Sequence, residues 1–247
     1  DALPPADRPN MPTGPDPKWR FFWRVGERPA ASGFAELNAE PVVPQAFPQW
    51  RRVMDGWGGR MLDVARTVMH AASVGLGLQP DALTSLMEQG PHLLAPTGSD
   101  LGGTAPIEGR VFAGYHYDLN LLTLHGRSRF PGLFVWLRDG RRVPVRVPEG
   151  CLFVQAGKQF EWLTGGEVMA GMHEVVGTSD TAAAAAAAAA AGRPTWRVSS
   201  TVFSHVASDQ VLTPLGRFAA RHGAAARYPA TTAGAQVSAE LEKIKLR

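Results

Sequence analysis

Apolar residues between Phe47 and Leu78 recur three and four positions apart, which is the spacing of one face of an α-helix. Such a stripe packs one side of a helix on a core and leaves the other side in water. We therefore predict a long amphipathic helix here, with Gly58 and Gly59 able to bend or divide it. The Gly-Leu-Gly sequence that follows ends this helix, and a shorter one is expected near Asp81.

After Gly109 the pattern changes to short apolar runs that are separated by glycine, proline and charged residues. About seven such runs, with turns such as Arg138-Asp139-Gly140 between them, indicate the antiparallel strands of a sandwich or barrel. The tail from Gln236 to Arg247 carries apolar residues on one helical face and predicts a small docked helix. The fold class is therefore mainly β, with helices covering the outside.

The first 45 residues contain many prolines, with the aromatic cluster Trp19, Phe21, Phe22 and Trp23 among them. Proline at this density disfavours long helices and central strands, whereas four large aromatic side chains need a core to lie on. We expect residues 1–46 to form an extended arm, the remainder of a shortened N-terminal region. Residues 47–247 are expected to form one helix-supported domain.

Ten consecutive alanines occupy positions 182–191, as an insertion between two expected strands. Alanine is the best helix former, but its methyl group offers little surface for packing. An exposed helix and a disordered loop both fit this tract, as does a segment whose true side chains were recorded as alanine.

Composition is that of an ordinary globular protein, with 45% hydrophobic and 19% charged residues. The net charge is only +3, and the 21 arginines and 4 lysines are scattered, so nucleic-acid binding is not supported. The single cysteine, Cys151, excludes an intramolecular disulfide, and no apolar run reaches the roughly 20 residues that span a bilayer. These features predict a soluble, cytoplasmic protein without a membrane partner.

Candidate chemistry begins in the segment "GYHYDLNLLTLHG", where His116 and Asp118 stand two residues apart on an expected strand. Alternate residues of a strand share a face, so an imidazole and a carboxylate would lie side by side. His173, on a later apolar run, is a candidate third ligand. Two histidines and one carboxylate leave open positions on a metal, as in non-haem Fe(II) oxygenases. Alternatively, His173 is an ordinary core histidine, and His116 merely hydrogen-bonds Asp118.

Arg197 and Ser199 form a similar pair on the next expected strand after His173, with the alanine tract between them. A guanidinium group and a hydroxyl group on the same side suit a buried carboxylate.

The order of these motifs resembles that of the isopenicillin N synthase-like branch of the Fe(II)/2-oxoglutarate-dependent oxygenases. The resemblance covers roughly residues 50–203 and implies a distorted double-stranded β-helix, or jelly roll, flanked by the long helix and the C-terminal helix. Four segments carry it: "GYHYDLNLLTLHG", "FPGLFVWLRDGRRVPVRVPEGCLFVQAGKQFEWLTGG", "MHEVV" and "RVSSTVF".

The resemblance implies that His116, Asp118 and His173 bind Fe(II), and that Arg197 and Ser199 bind the far carboxylate of 2-oxoglutarate. It also implies O2 and a small organic molecule as substrates, with succinate and CO2 as products. The substrate and the oligomeric state are not readable from the sequence.

The sequence departs from the family pattern at several positions. Family members have an Asn-x-Tyr whose tyrosine helps to hold the cosubstrate, whereas Leu93 and Ala95 stand here. Glu174 follows the distal histidine where the family prefers arginine, and the segment from His173 to Arg197 is longer than usual. Two alternatives therefore stay open: an iron oxidase that does not use 2-oxoglutarate, and a catalytically impaired jelly roll that acts as a binding or structural module.

Other conspicuous residues have simpler interpretations. His125 and His205 could each approach the site, but single histidines on apolar strands are more often structural, which is our expectation for both; Cys151 is expected to be a core residue. The arginines of "GRSRF", Arg127 and Arg129, are expected in a solvated turn near the pocket mouth, where they could meet an anionic substrate.

Overall fold

A long helix supports the larger of two antiparallel sheets in the computed structural model, which describes residues 3–12, 14–103 and 105–244. The helices are α1 (Trp50–Gly75), α2 (Lys158–Leu163), α3 (Ser179–Ala190), α4 (Ala224–Arg227) and α5 (Ala233–Ile244). The strands are β1 (Trp19–Arg20), β2 (Trp23–Val25), β3 (His92–Asp100), β4 (Val111–His116), β5 (Leu122–His125), β6 (Leu133–Trp136), β7 (Arg142–Pro144), β8 (Phe153–Ala156), β9 (His173–Val176), β10 (Trp196–Ser204), β11 (Val211–Leu212) and β12 (Thr231–Thr232).

The larger sheet has the strand order β1-β3-β10-β5-β8, with β2 also paired to β3, and the smaller sheet has the order β4-β9-β6-β7. Residues of both sheets line a common cavity. The predicted mainly-β jelly roll, with a long helix and a C-terminal helix, is confirmed. The last three residues of the predicted C-terminal helix lie outside the described ranges.

Helix α1 packs its apolar stripe on the outer face of the larger sheet. Met61, Ala65 and Met69 are fully buried there and share a core with Trp23 and Leu94. The helix is continuous, so the expectation that Gly58 and Gly59 could divide it is wrong. Gly58 instead allows β2 to approach closely, because a Cβ atom at this position would lie 2.7 Å from the Val25 side chain.

Strand β3 is the main departure from the sequence pattern, which predicted strands only after Gly109. It pairs with β10 over eight residues, from Trp196 opposite Asp100 to Phe203 opposite Leu93. The expected helix near Asp81 is a single 3-10 turn at Ser85–Met87. Pro96 and Gly98 interrupt the apolar alternation of β3, which explains why the pattern did not reveal it.

The alanine tract forms most of α3, which begins with a capping box between Thr178 and Thr181. Ala185 and Ala188 are buried against a small cluster that includes Phe112 and Phe130. Of the alternatives for the alanine tract, the structure therefore shows the helix. Because alanine has a small side chain, the helix approaches these rings closely on one narrow face and leaves the rest exposed.

The N-terminal arm crosses from one sheet to the other. At the smaller sheet, Asp7 accepts a hydrogen bond from the backbone N–H of Arg142, and Asn10 donates two hydrogen bonds to the Glu174 carboxylate, each 3.0 Å long. Further on, β1 and β2 pair with β3 of the larger sheet. The part of the arm formed by residues 3–12 and 14–25 is thus hydrogen-bonded to both halves of the jelly roll.

A buried histidine pair lies behind the larger sheet, away from the cavity. The Nε2 atom of His92 donates to the carbonyl of Met87 at 2.9 Å, and its Nδ1 atom accepts from the backbone N–H of His205 at 3.0 Å. Both ring nitrogens of His92 are therefore used in hydrogen bonds that only the neutral imidazole can form. Burial is the main cause that lowers the pKa of each histidine to about 3, and nearby Arg24 lowers it further.

We expect acid to destabilise the protein through this pair. Between the unfolded pKa near 6.5 and the folded value near 3, the unfolded chain binds protons that the native state does not, so stability falls as the pH falls. Each histidine should lower the free energy of unfolding by roughly 2 kcal/mol between about pH 6.5 and about pH 5. Urea denaturation of the metal-free protein at a series of pH values measures this slope.

In His92→Gln the slope of the free energy of unfolding against pH should decrease by the equivalent of about one bound proton. In His70→Gln, at an exposed position of α1, this slope should not change. An unchanged slope in His92→Gln would contradict the assignment.

Candidate metal centre

Strand pairing brings the three predicted ligands together. His116 ends β4 and lies directly opposite His173, the first residue of β9, while Asp118 follows two residues after His116. The Oδ1 atom of Asp118 is 3.8 Å from His116 Nε2 and 3.9 Å from His173 Nε2. One donor atom from each residue can be chosen so that all three lie within 4.8 Å of one another. This is a compact set of two nitrogen donors and one oxygen donor.

Neighbouring groups orient each donor toward the same point. His116 Nδ1 lies 2.6 Å from the Gly114 carbonyl, to which it donates, so the Nε2 lone pair is free. Asp118 Oδ2 accepts a 2.7 Å hydrogen bond from Thr123, which leaves Oδ1 to face the histidines. His173 Nδ1 donates to the Gly171 carbonyl at 3.2 Å, so its Nε2 lone pair is free as well. Such outer contacts fix the ring and carboxylate orientations that a metal requires.

The electrostatics of His116 and Asp118 keep both groups in the forms that bind a metal. Burial, followed by the charge of His173, lowers the pKa of His116 to about 4, so its ring is neutral at pH 7. Burial alone would raise the pKa of Asp118, but the fields of His173, His116 and His125 outweigh it and lower that pKa. An anionic carboxylate beside two imidazole rings is a donor set suited to a divalent transition metal.

Arg197 and Ser199 lie on the inward face of β10 and line the same cavity as the three donors. The residues on either side of Arg197, Trp196 and Val198, point outward and are exposed. Arg197 is only 9% exposed, and its Nε atom has no hydrogen-bond partner among the described residues. Burial lowers its pKa to about 10, a value that still leaves it charged. A buried cation without an anion is a strong attraction for a carboxylate.

The cavity has a volume of about 430 Å³, within the range of small-molecule sites. All five residues predicted from the sequence line it, namely His116, Asp118, His173, Arg197 and Ser199. Arg127 and Arg129 also line it, and both are exposed, as expected for a turn at its mouth.

His125 also lines the cavity, which sequence reasoning missed by treating it as structural. Its ring lies 6.1 Å from that of His173, and its Nε2 atom has no hydrogen-bond partner in the part of the chain described. Burial lowers its pKa to about 4. The signal was available, because His125 is two residues after Thr123 and therefore shares its face.

Two further expectations have different outcomes. His205 is packed against His92 behind the sheet, so its structural interpretation is confirmed. Cys151 is exposed, so its assignment to the core is wrong. It belongs to the Pro-Glu-Gly turn that precedes β8, and the strand begins only at Phe153.

The departures from the family pattern have structural counterparts. Glu174 is fully buried, but it faces away from the cavity and forms an ion pair with Arg142 at 2.6 Å while accepting from Asn10. Its role here is to hold the arm. Ala95 is buried opposite Thr201, and the neighbouring cavity residues on β3 are Thr97 and Ser99.

Comparison with known proteins gives a consistent result. Residues 102–206 match the family model described as the 2OG-Fe(II) oxygenase superfamily. Validamycin A dioxygenase of Streptomyces hygroscopicus subsp. limoneus is 32% identical over 145 residues, which is 56% of this chain and 39% of that protein. The chain therefore spans about two-fifths of the length of this curated relative.

Solved structures resemble most of the chain. A protein of Caulobacter crescentus assigned to the 2OG-Fe(II) oxygenase family superimposes with a TM-score of 0.74 and 26% identity, covering 92% of this chain and 69% of that one. A full-length protein of Neurospora crassa, solved in complex with alpha-KG, has a TM-score of 0.73 and 19% identity, covering 93% of this chain and 67% of that one. At 19% identity, the similarity to the Neurospora crassa protein shows a common fold.

Proposed function

We propose that this chain is a 2OG-Fe(II) oxygenase, as the match of residues 102–206 to that superfamily indicates, and that it acts as a non-haem Fe(II)/2-oxoglutarate-dependent dioxygenase. It would oxidise a small organic substrate, by hydroxylation, with O2 as cosubstrate and with release of succinate and CO2. One observation carries the proposal. A His-Asp-His donor set and a buried arginine without an anion line the same cavity.

The donor set fits Fe(II) in kind and in number. His116, Asp118 and His173 would hold the ion on one side and leave coordination positions for small ligands. When bound, iron supplies the activation of O2, a chemistry that no side chain of the protein provides. The protein's own contribution is to hold the donors: Gly114 and Thr123 fix the orientations of His116 and Asp118.

Arg197 and Ser199 would bind the far carboxylate of 2-oxoglutarate. The guanidinium group offers a fork of N–H donors in a setting from which most water is excluded, so each hydrogen bond to a carboxylate is strengthened. Phe112, Leu133 and Val175, on the smaller sheet, line the same cavity and keep part of its wall apolar. This arrangement orients an acidic cosubstrate beside the donor set and limits the access of water.

The two alternatives are less well supported. An oxidase that does not use 2-oxoglutarate would leave Arg197 buried without an anion. A binding module without turnover would not require Thr123 to direct one carboxylate oxygen of Asp118 toward two imidazoles.

We also propose the division into an arm at residues 1–46 and an oxygenase domain at 47–247, with the alanine tract as an insertion between β9 and β10. No helix within the described residues is long and apolar enough to cross a membrane. A cytoplasmic location remains our proposal, supported by the single cysteine of the sequence; cell fractionation tests it.

Succinate release tests the proposed function. Purified protein with Fe(II), ascorbate and 2-oxoglutarate should form succinate, and the rate should rise with a suitable member of a broad substrate panel. His116→Ala should reduce this release to the background rate, because it removes one of the donors. Equal succinate formation by the wild type and His116→Ala would contradict the proposal.

A further inference from the structure

A second arginine, Arg20, faces the same cavity from the arm. It lies on β1 opposite Thr97 of β3, and Thr97 lies opposite Ser199 of β10. Directly paired residues of neighbouring strands project to the same side of a sheet. Arg20, Thr97 and Ser199 therefore form one row on the inner face of the larger sheet, and all three line the cavity.

The guanidinium group of Arg20 is held in place but is not neutralised. Its Nε atom donates to Thr97 Oγ1 at 3.0 Å, and its central carbon lies 5.6 Å and 5.8 Å from the ring centroids of Phe22 and Phe203. Its two terminal nitrogens have no hydrogen-bond partner among the described residues, and no described carboxylate lies at ion-pair distance. The hydrogen bond of Nε and the two aromatic rings restrict the movement of the guanidinium group. Its terminal N–H groups remain available to bind a ligand.

Most other cations of the cavity already have partners. Lys18 pairs with Asp16 at 2.6 Å, and Arg129 donates to the Pro194 carbonyl. Two more arginines have longer contacts with exposed carboxylates: Arg127 with Glu149 and Arg146 with Asp180, each at 3.9 Å. Arg20 at the cavity mouth and Arg197 in its interior are the cavity arginines whose terminal nitrogens contact no described acceptor.

Arg20 and Arg197 occupy different parts of the cavity. They lie two strands and two residues from each other on the sheet, which places their Cα atoms roughly 12 Å apart. Arg20 is exposed at the cavity mouth, whereas Arg197 is buried. The cavity walls still remove part of the hydration of Arg20 and lower its pKa, while the charge of Asp118 acts in the opposite direction. A ligand on Arg20 would thus lie within the electrostatic reach of the metal centre.

Contacts of the arm with both sheets fix the position of Arg20. Asp16 accepts a hydrogen bond from the backbone N–H of Gly114 on β4 at 3.3 Å, while β1 itself pairs with β3. A binding group that is already held in place loses little conformational entropy when its ligand binds.

We propose that Arg20 is a substrate-recognition residue that binds a carboxylate or phosphate group, so that the enzyme acts on small organic anions. This inference rests on the proposed function, in which Arg197 is occupied by 2-oxoglutarate and a separate anion is left for Arg20. Its paired neighbours on this face of the sheet, Thr97 and Ser199, are neutral, so they add no charge that would repel an anion.

Matched probes test the proposal without knowledge of the natural substrate. Phenylacetate, phenyl phosphate and the neutral phenylacetamide are titrated calorimetrically into protein that holds Zn2+ in place of iron and saturating 2-oxoglutarate. At least one anionic probe should bind about tenfold more tightly than the amide, as expected for a charge-assisted hydrogen bond. The preferred anion identifies carboxylate or phosphate as the recognised group.

Arg20→Gln should remove this preference, and Arg20→Lys should retain part of it. Arg193→Gln, which removes a charge of the same sign from an exposed position outside the cavity, should leave the preference unchanged. The affinity for 2-oxoglutarate, measured in the same protein, should stay within about threefold in Arg20→Gln, because that cosubstrate is assigned to Arg197.

Two results would overturn the proposal: an equal affinity of the wild type for all three probes, and an Arg20→Gln variant that keeps the preference. A tenfold loss of 2-oxoglutarate affinity in Arg20→Gln would also overturn it, since Arg20 would then belong to the cosubstrate site. Failure of the wild type to bind 2-oxoglutarate is a separate result that contradicts the proposed function. The anion preference is still measurable in that case, with the metal-free protein.

Discussion

Asp118→Asn is expected to lower the rate of succinate release by roughly 1,000-fold, while the metal-free protein keeps its fold. The substitution preserves shape and the oxygen that accepts from Thr123, but it removes the only anionic donor of the set. The amide nitrogen would then stand in the place of Oδ1 and offer no lone pair, so Fe(II) would keep the two imidazole donors and its affinity should also fall. Anaerobic Fe(II) titration and a succinate assay at saturating 2-oxoglutarate measure the two effects.

Asp180→Asn provides the matched control for this variant. Asp180 also lines the cavity, but its side chain is exposed at the rim and faces Arg146 at 3.9 Å. Its replacement should change Fe(II) affinity and succinate release by less than about threefold, as for an exposed ion pair. If Asp118→Asn bound iron as tightly as the control variant does, the assignment of the metal centre would be wrong.

Arg197→Met is expected to affect binding and folding in opposite directions. The affinity for 2-oxoglutarate should fall about 100-fold, because charge-assisted hydrogen bonds to a carboxylate are lost. The free energy of unfolding of the metal-free protein should rise by about 1 kcal/mol, since a buried, unpaired charge is replaced by an apolar side chain of similar length. Calorimetric titration with 2-oxoglutarate and urea denaturation measure the two quantities.

The opposite signs distinguish a binding residue from a structural one. A structural arginine would lose stability when replaced, and its effect on binding would follow from misfolding. Arg193→Met, at an exposed position before β10, should change neither quantity. Loss of stability in Arg197→Met, with 2-oxoglutarate affinity unchanged, would contradict the proposed role.

The parts of the structure that the sequence predicted well are those determined by local periodicity. The apolar stripe of α1 has a period of 3.6 residues, and the structure buries that face. The two-residue period of strands placed His116 with Asp118 and Arg197 with Ser199, and the structure puts both pairs on the same cavity. Each motif alone was a weak indication of a metal site, and the order of the motifs along the chain made the indication specific.

The parts that were missed depend on contacts between distant segments. β3 contains proline and glycine, and its partners are an arm more than 70 residues earlier and β10 nearly 100 residues later. The role of Glu174 depends on Asn10 and Arg142, and that of Arg20 depends on Thr97. Periodicity within one segment carries no information about such pairings, so only the folded chain reveals them.

The two attachments of the arm have a consequence for the size of molecule that the protein can accept. Since Asn10 is bonded to the smaller sheet and Trp19 to the larger, the covalent chain between them limits how far the two sheets can separate. Widening the cavity for a bulkier ligand would first require the release of Asn10 from the Glu174 carboxylate, which is wholly shielded from water. The width of the interior is thus set partly by a segment that runs along its outside.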